Sequence, residues 1–340
     1  MKPVRWKAIV AGMVAAVLVL GMAACADSSN DANAIIVYNA QHESLTREWA
    51  EAFTADTGIK VTLRQGGDTA LANQLVAEGA ASPADVFLTE NSPAMALVEN
   101  AGLFTAMDPQ TLNQVPAQFR PSTGKWTGIA ARSTVFVYNK NQLSADQLPA
   151  SLLDLAQPQW QGRWGAGVSG ADFQAIVAGL LVLKGEDTTR AWLQGMKANA
   201  TPFPNNVATM KAVDSGNPDG GIIYHYYWYR DQAATKDSSA ETALHYFRNQ
   251  DPGAFVSISG GGVLASSTKQ ESAQKFLAFI TSKAGQEVLR DGSSMEYPVA
   301  SDVAANPALP PLADLQAPAI DPSELDSKKV TALMTEAGLL

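Results

Sequence analysis

The chain has 340 residues, 46% of them hydrophobic and 17% charged, with a formal net charge of −9. That is enough apolar material for one large or two medium cores, and the acidic balance argues against nucleic acid as a partner. The single cysteine, Cys25, leaves no pair for a disulfide within the chain.

The N-terminus reads as a targeting segment. Lys2, Arg5 and Lys7 precede an uncharged apolar run from Ala8 to Ala24, and the small residues Ala23 and Ala24 lead to Cys25. A secretory signal has this layout. With its only cysteine at the cleavage point, the segment (1–24) resembles a lipoprotein signal, and Cys25 is the expected site of lipidation. An uncleaved anchor is the alternative, although 17 apolar residues lie at the short limit for a membrane span. Either reading places the body outside the cytoplasmic membrane. Residues 25–34 are small and polar and read as a flexible tether.

Beyond the tether, strands and helices alternate. Ile35–Tyr38 is a β-branched run ending in a loop that carries His42. Ser44 can cap a helix whose Leu45, Trp49 and Phe53 recur every four residues. Ile59–Leu63 is a second strand, and Leu71, Leu75 and Val76 mark a second helix. Ala84–Leu88 is a third strand, whose exit loop carries Glu90 and Asn91 before a helix opened by Ser92 and Pro93. The pattern repeats with a strand at Thr134–Tyr138 and a short helix at Pro149–Leu155. A loop at Ser169, Gly170 and Ala171 then opens the helix Phe173–Lys184. Asn205 and Asn206 precede a further helix, Phe255–Ile258 is a strand leading to three glycines, and Val330–Leu340 is a last helix. Short connections between alternating elements predict a largely parallel sheet. In such sheets the loops at the strands' C-terminal ends face the ligand crevice. The fold class is therefore α/β, in two lobes about a hinge with the ligand between them. Lobe 1 is expected over 35–133 plus about 257–307, and lobe 2 over about 134–256 plus 308–340.

The least ordinary stretch is Tyr224-His225-Tyr226-Tyr227-Trp228-Tyr229, which holds four of the eight tyrosines and one of the three histidines. Phenols and imidazoles need polar partners when buried, so the six side chains cannot all be core. Packing, stacking on a sugar or a cation, and metal coordination all remain open from local composition.

Almost the whole chain beyond the leader resembles the ferric ion-binding substrate-binding proteins of bacterial ABC importers, of the periplasmic-binding-protein type II fold. The resemblance rests on Val-Tyr-Asn-Ala-Gln-His-Glu (37–43), Ser-Pro-Ala-Asp-Val-Phe (82–87) leading to Glu90, Tyr226-Tyr227-Trp228, and Asp-Pro-Gly-Ala (251–254). It implies a monomeric binding protein rather than an enzyme, delivering Fe³⁺ to an ABC permease and its ATPase. It also implies His42, Glu90, Tyr226 and Tyr227 as metal ligands. A synergistic anion, phosphate or carbonate, would be held by Ser169, Gly170, Ala171, Asn205 and Asn91, with Arg132 offsetting charge. One position departs from the pattern: Tyr224 stands where anion-binding relatives carry Asn, so Tyr224 either donates to the anion or displaces it and ligates the metal.

The chemistry of the four ligands is independent support. Fe³⁺ is a hard cation that favours anionic oxygen, and two phenolates and a carboxylate supply three negative charges. Phenol protons leave near pH 10 in water, so the metal must displace them. Binding should weaken as pH falls and on reduction. The two tyrosines are adjacent, and neighbours diverge in strand and helix alike, so irregular backbone is expected where they meet one ion. Two other functions compete. A sugar, polyamine or phosphonate receptor would use the aromatic cluster but gives His42 and Glu90 no role. An extracellular iron metalloenzyme would need a general base or a second metal, and the chain has no His-Glu-x-x-His, Gly-x-Ser-x-Gly or P-loop motif.

Overall fold

The computed structural model describes residues 34–340; the expected leader, Cys25 and all but the last residue of the tether lie outside them. Nine strands form one continuous sheet in the order β2-β1-β3-β9-β4-β7-β5-β6, with β8 paired to β4. In chain order the elements of its first half are β1 (Ile35–Asn39), α1 (Glu43–Thr57), β2 (Val61–Gln65), α2 (Asp68–Glu78), β3 (Val86–Leu88), α3 (Ser92–Asn100) and a single turn, α4 (Pro109–Leu112). There follow β4 (Thr127–Asn139), β5 (Trp164–Ala166), α5 (Ala171–Asn199), β6 (Ala200–Pro202), α6 (Asn206–Asp214), β7 (Gly220–Tyr224), α7 (His225–Ala233) and β8 (Thr242–His245). The chain then returns through β9 (Val256–Val263), α8 (Gln270–Thr281) and α9 (Lys283–Asp291) and ends in α10 (Ser327–Glu336).

The alternation of strand side chains explains the layering. Ile35, Val37, Val86 and Leu88 pack with Trp49, Phe53, Phe276 and Ile280 on one face. Tyr38 and Phe87 pack with Leu71, Leu75 and Met95 on the other. Both faces are buried, as a sheet between helix layers requires. In the second half, Phe136, Trp164, Ile222 and Tyr224 join α5 and α10 in a separate core, while Val135, Val137 and Ile223 face α6.

The sheet is parallel within each βαβ unit, β1 with β2 and β3, and β5 with β6 and β7. It is antiparallel where β9 and β4 join the two. β4 is the crossing element: residues 127–133 pair with β9, residues 134–138 pair with β7, and residues 136–139 pair with β8.

Three local expectations change. The strand read as ending at Ile258 continues as β9 through the glycines at 260–262. A Cβ at Gly260 would meet Met95 at 2.4 Å, and one at Gly262 would meet Phe104 at 2.7 Å, so close packing rather than a turn demands glycine there. Helix α1 starts two residues early, with His42 rather than Ser44 at its N-cap. Residues 149–155, read as a helix, hold only a 3₁₀ segment at Leu152–Ala156. Among the described residues no helix is long and apolar enough to cross a membrane.

Candidate metal centre

The ends of β1, β3, β5 and β7 deliver their loops to one crevice, as parallel strands do. β1 leads to His42, the N-cap of α1. β3 leads to Glu90 and Asn91, the latter the N-cap of α3. β5 leads to Ser169 and Gly170, and Gly170 is the N-cap of α5. β7 leads directly into α7. Arg132 comes from the middle of β4 and is fully buried.

Tyr226 and Tyr227 do not sit on irregular backbone. They lie in the first turn of α7, where side chains lean toward the helix N-terminus. Their rings stack with centroids 4.2 Å apart and planes at 30°, so the pair meets the crevice together despite being neighbours. Tyr226 is fully buried, and its ring meets that of His42 edge-on at 5.0 Å.

His42 Nδ1 lies 3.0 Å from Glu90 Oε1, and the other oxygen of Glu90 accepts from Arg132 Nη1 at 3.1 Å. Burial alone would raise the Glu90 carboxyl, but His42 and Arg132 outweigh it and hold it down at about 2. Burial works against a charged His42 ring, yet Glu90 and Glu296 raise its pKa overall. Tyr226, Tyr224 and Tyr227 are all pushed up, by burial first and then by the Asp172 carboxylate. Left to themselves these phenols keep their protons. Only a strong Lewis acid would remove them.

Two side chains that composition did not mark complete the crevice. Asp172, in the first turn of α5, accepts from Asn91 Nδ2 at 2.8 Å, Asn206 Nδ2 at 2.6 Å and Tyr227 Oη at 3.0 Å. It lies at the N-terminus of α5, just after Ser169, Gly170 and Ala171, where the helix dipole favours a carboxylate. Burial and the nearby Glu90 raise its carboxyl pKa. Glu296, from the loop after α9, is fully buried and pairs with Arg132. Asp68 supports the set from behind, accepting from Glu90 N at 2.9 Å and Asn91 Nδ2 at 3.0 Å. Burial and Glu90 raise its carboxyl to about 7.

Of the residues singled out from sequence, His42, Glu90, Asn91, Arg132, Tyr224, Tyr226 and Tyr227 come together. The Tyr224 hydroxyl lies 3.4 Å from Asn91 Oδ1 and 3.3 Å from Asp172 O. Asn205 does not join them: its exposed side chain accepts from Ala208 N at 2.9 Å to cap α6, and the next residue, Asn206, faces the site. His225 turns away, accepting from Ser133 N and stacking on Tyr297. Trp228 donates to Thr242, and the ring of His245 meets the Pro149 carbonyl.

Several buried polar atoms here have no hydrogen-bond partner: His42 Nε2, Tyr226 Oη and Glu296 Oε2. Buried polar groups are nearly always paired, so these three atoms are candidates to meet a ligand. Among the described residues no three His, Cys, Asp or Glu side chains form a metal cage by themselves.

A two-lobed α/β frame with a polar crevice at its crossing strands defines a solute-binding protein, and the chain belongs to the bacterial extracellular solute-binding proteins, whose family model matches residues 81–323. It is 60% identical over 96% of its length, and 96% of the relative's, to the Fe(3+)-binding periplasmic protein of Serratia marcescens. It is 38% identical to the major ferric iron-binding protein of Neisseria meningitidis serogroup B over 90% of this chain and 93% of that one. Iron-bound HitA from Pseudomonas aeruginosa superposes with a TM-score of 0.84 at 40% identity, over 90% of this chain and 99% of that one. The fold is thus the two-lobed periplasmic-binding-protein fold, and the chain is a binding protein rather than an enzyme.

Proposed function

We propose that this protein is an extracytoplasmic ferric-ion receptor that closes its two lobes on Fe³⁺ and hands the ion to an ABC permease driven by its ATPase. The observation that carries this reading is the meeting of His42, Glu90, Tyr226 and Tyr227 around buried atoms that lack partners. The ferric and iron-binding names of the relatives support it. The lobes would be 35–133 with 257–307, and 134–256 with 308–340, hinged on β4 and β9; partner exchange along β4 favours a boundary near residue 133. Closure would select the loaded form for the permease.

The oxygen-rich donor set suits a hard trivalent cation, and the bound ion would lower the phenol pKa values that burial raises. An external phosphate or carbonate, cradled by Ser169, Gly170, Ala171 and Asn91, is the reading the resemblance implies. The Asp172 carboxylate already takes the donors of Asn91 and Asn206, which favours a protein carboxylate in that place. Tyr224 then serves as a hydrogen-bonding wall rather than a ligand. Cys25 would carry the lipid that tethers a monomeric receptor to the membrane; loss of membrane association in Cys25→Ser would support that anchor, and retention would sink it.

The deciding measurement is titration of the metal-free protein with ferric nitrilotriacetate in buffer free of phosphate and carbonate. A visible tyrosinate-to-iron absorption band is expected, and it should be largely lost in Tyr227→Phe. A protein that stays colourless would overturn the ferric reading, and loading only after phosphate is added would restore the external anion.

A further inference from the structure

Glu296 belongs to none of the segments from which the site was assembled, yet it is the most deeply placed acid in it. Its carboxylate is fully buried. Oε1 is engaged by Arg132 Nη2, with Gln41 Nε2 at 3.5 Å. Oε2 has no partner and faces His42 Nε2, itself unpartnered, across 3.9 Å. Nitrogen and oxygen donors sit about 2 Å from a small first-row ion such as zinc, so two donors on one ion lie roughly 3 to 4 Å apart. The gap between Oε2 and Nε2 matches that span.

The backbone holds the carboxylate there deliberately. Tyr297 forms an isolated antiparallel bridge with Ala131, the residue before Arg132. Met295 adopts a left-handed φ of 56°, a conformation that L side chains rarely take. Between these two constraints, Glu296 is turned inward beside Arg132. Glu90 is engaged differently: one oxygen is used by His42 Nδ1 and the other by Arg132. With Nδ1 beside Glu90 Oε1, the ring of His42 presents Nε2 as its free nitrogen. That nitrogen faces Glu296.

We propose that Glu296 supplies an oxygen donor to the bound cation beside His42 Nε2, adding a carboxylate from the loop after α9 to the ligand set. The charge pattern agrees, since three carboxylates, Glu90, Asp172 and Glu296, surround the single guanidinium of Arg132 within 4 Å, an excess of negative charge that a cation would offset. The proposal rests on the ferric reading above. A crystal structure of the iron-loaded wild-type protein tests it first: Glu296 Oε2 within about 2.3 Å of the iron, the bond length of a carboxylate donor, supports it, and Oε2 beyond about 3 Å overturns it. Glu296→Gln is expected to lose at least tenfold in ferric affinity and to change the EPR signal of the bound iron. Glu296→Asp, which keeps the pairing charge but shortens the reach, should change the signal too if Gln at this position prevents folding. Wild-type affinity with an unchanged EPR signal in either variant would also overturn it. If the wild-type protein takes up no iron at all, the ferric reading falls and this assignment with it; if it loads with Glu296 remote, only this assignment falls.

Discussion

Two corners of the crevice differ in what they lack. At the α5 corner, Asp172, Asn91, Asn206, Ser257 and Tyr227 satisfy one another in a closed hydrogen-bond network. At the α1 corner, His42, Tyr226 and Glu296 each present a buried atom with no partner. The first corner is complete without a ligand; the second is complete only with one. Unpaired polar atoms are costly inside a protein. Three of the unpartnered buried atoms among the described residues gather at the α1 corner, which points to binding there, while the satisfied corner holds Tyr227 and its neighbours in position beside it.

The strongest test of that difference is Tyr226→Phe. Removing a hydroxyl that bonds to nothing should leave the metal-free melting temperature unchanged or raise it, while ferric affinity falls by a hundredfold or more, on the order of 3 kcal/mol. Equal losses in both measurements would show that the hydroxyl is structural. Next is Asp172→Asn, which puts an amide group where donors already converge. Each donor left unpaired costs about 1–3 kcal/mol, so the metal-free protein should melt lower, and iron loading should become dependent on added phosphate. Proton release is the third test. Tyr226 and Tyr227 begin with raised pKa values and His42 with a raised one too, so metal uptake must expel protons and affinity must rise with pH. From about pH 8 down to about pH 5 affinity should drop steadily. Glu90, held at about 2, stays ionised throughout and adds nothing to that slope. Its own stabilising effect, as a depressed acid, is present above the ordinary carboxyl range and disappears only as pH falls toward 2. A pH-stat measurement finding no proton release would contradict tyrosinate coordination. The smallest effect is expected from Asn205→Ala: loss of a helix cap worth about 1 kcal/mol, with ferric affinity unchanged. A large affinity loss there would return Asn205 to the site.

How much of this was legible from the residues alone follows from range. His42 and Glu90 sit just past short apolar strands, so the strand–helix alternation placed both at strand ends and hence in one crevice. The tyrosine pair was visible as composition, but its helical setting was not: Tyr224 opens α7 with no side-chain cap, and a run of aromatics reads as strand. Asp172 looked like any acid in a first helical turn, favoured there by the dipole. Nothing local separates it from such a residue. Glu296 was hidden most completely. It reaches His42 from 254 positions away, through one bridge and one left-handed residue, neither of which leaves a pattern in sequence. Asn205 and Asn206 show the limit in miniature, since two identical side chains in succession were told apart only by which one caps the helix.

Strand β4 exchanges its partners between Ser133 and Thr134, immediately after the residue whose guanidinium joins Glu90 to Glu296. If the proposed lobes hinge here, the pivot and the electrostatic centre are the same few peptide units. A change that softens or stiffens this crossing would also re-aim the guanidinium, and a change to the guanidinium would alter the torsion of the crossing. In the proposed two-lobe arrangement, opening angle and site charge would then be coupled: natural variants that open wider should also differ in how tightly they hold their cargo.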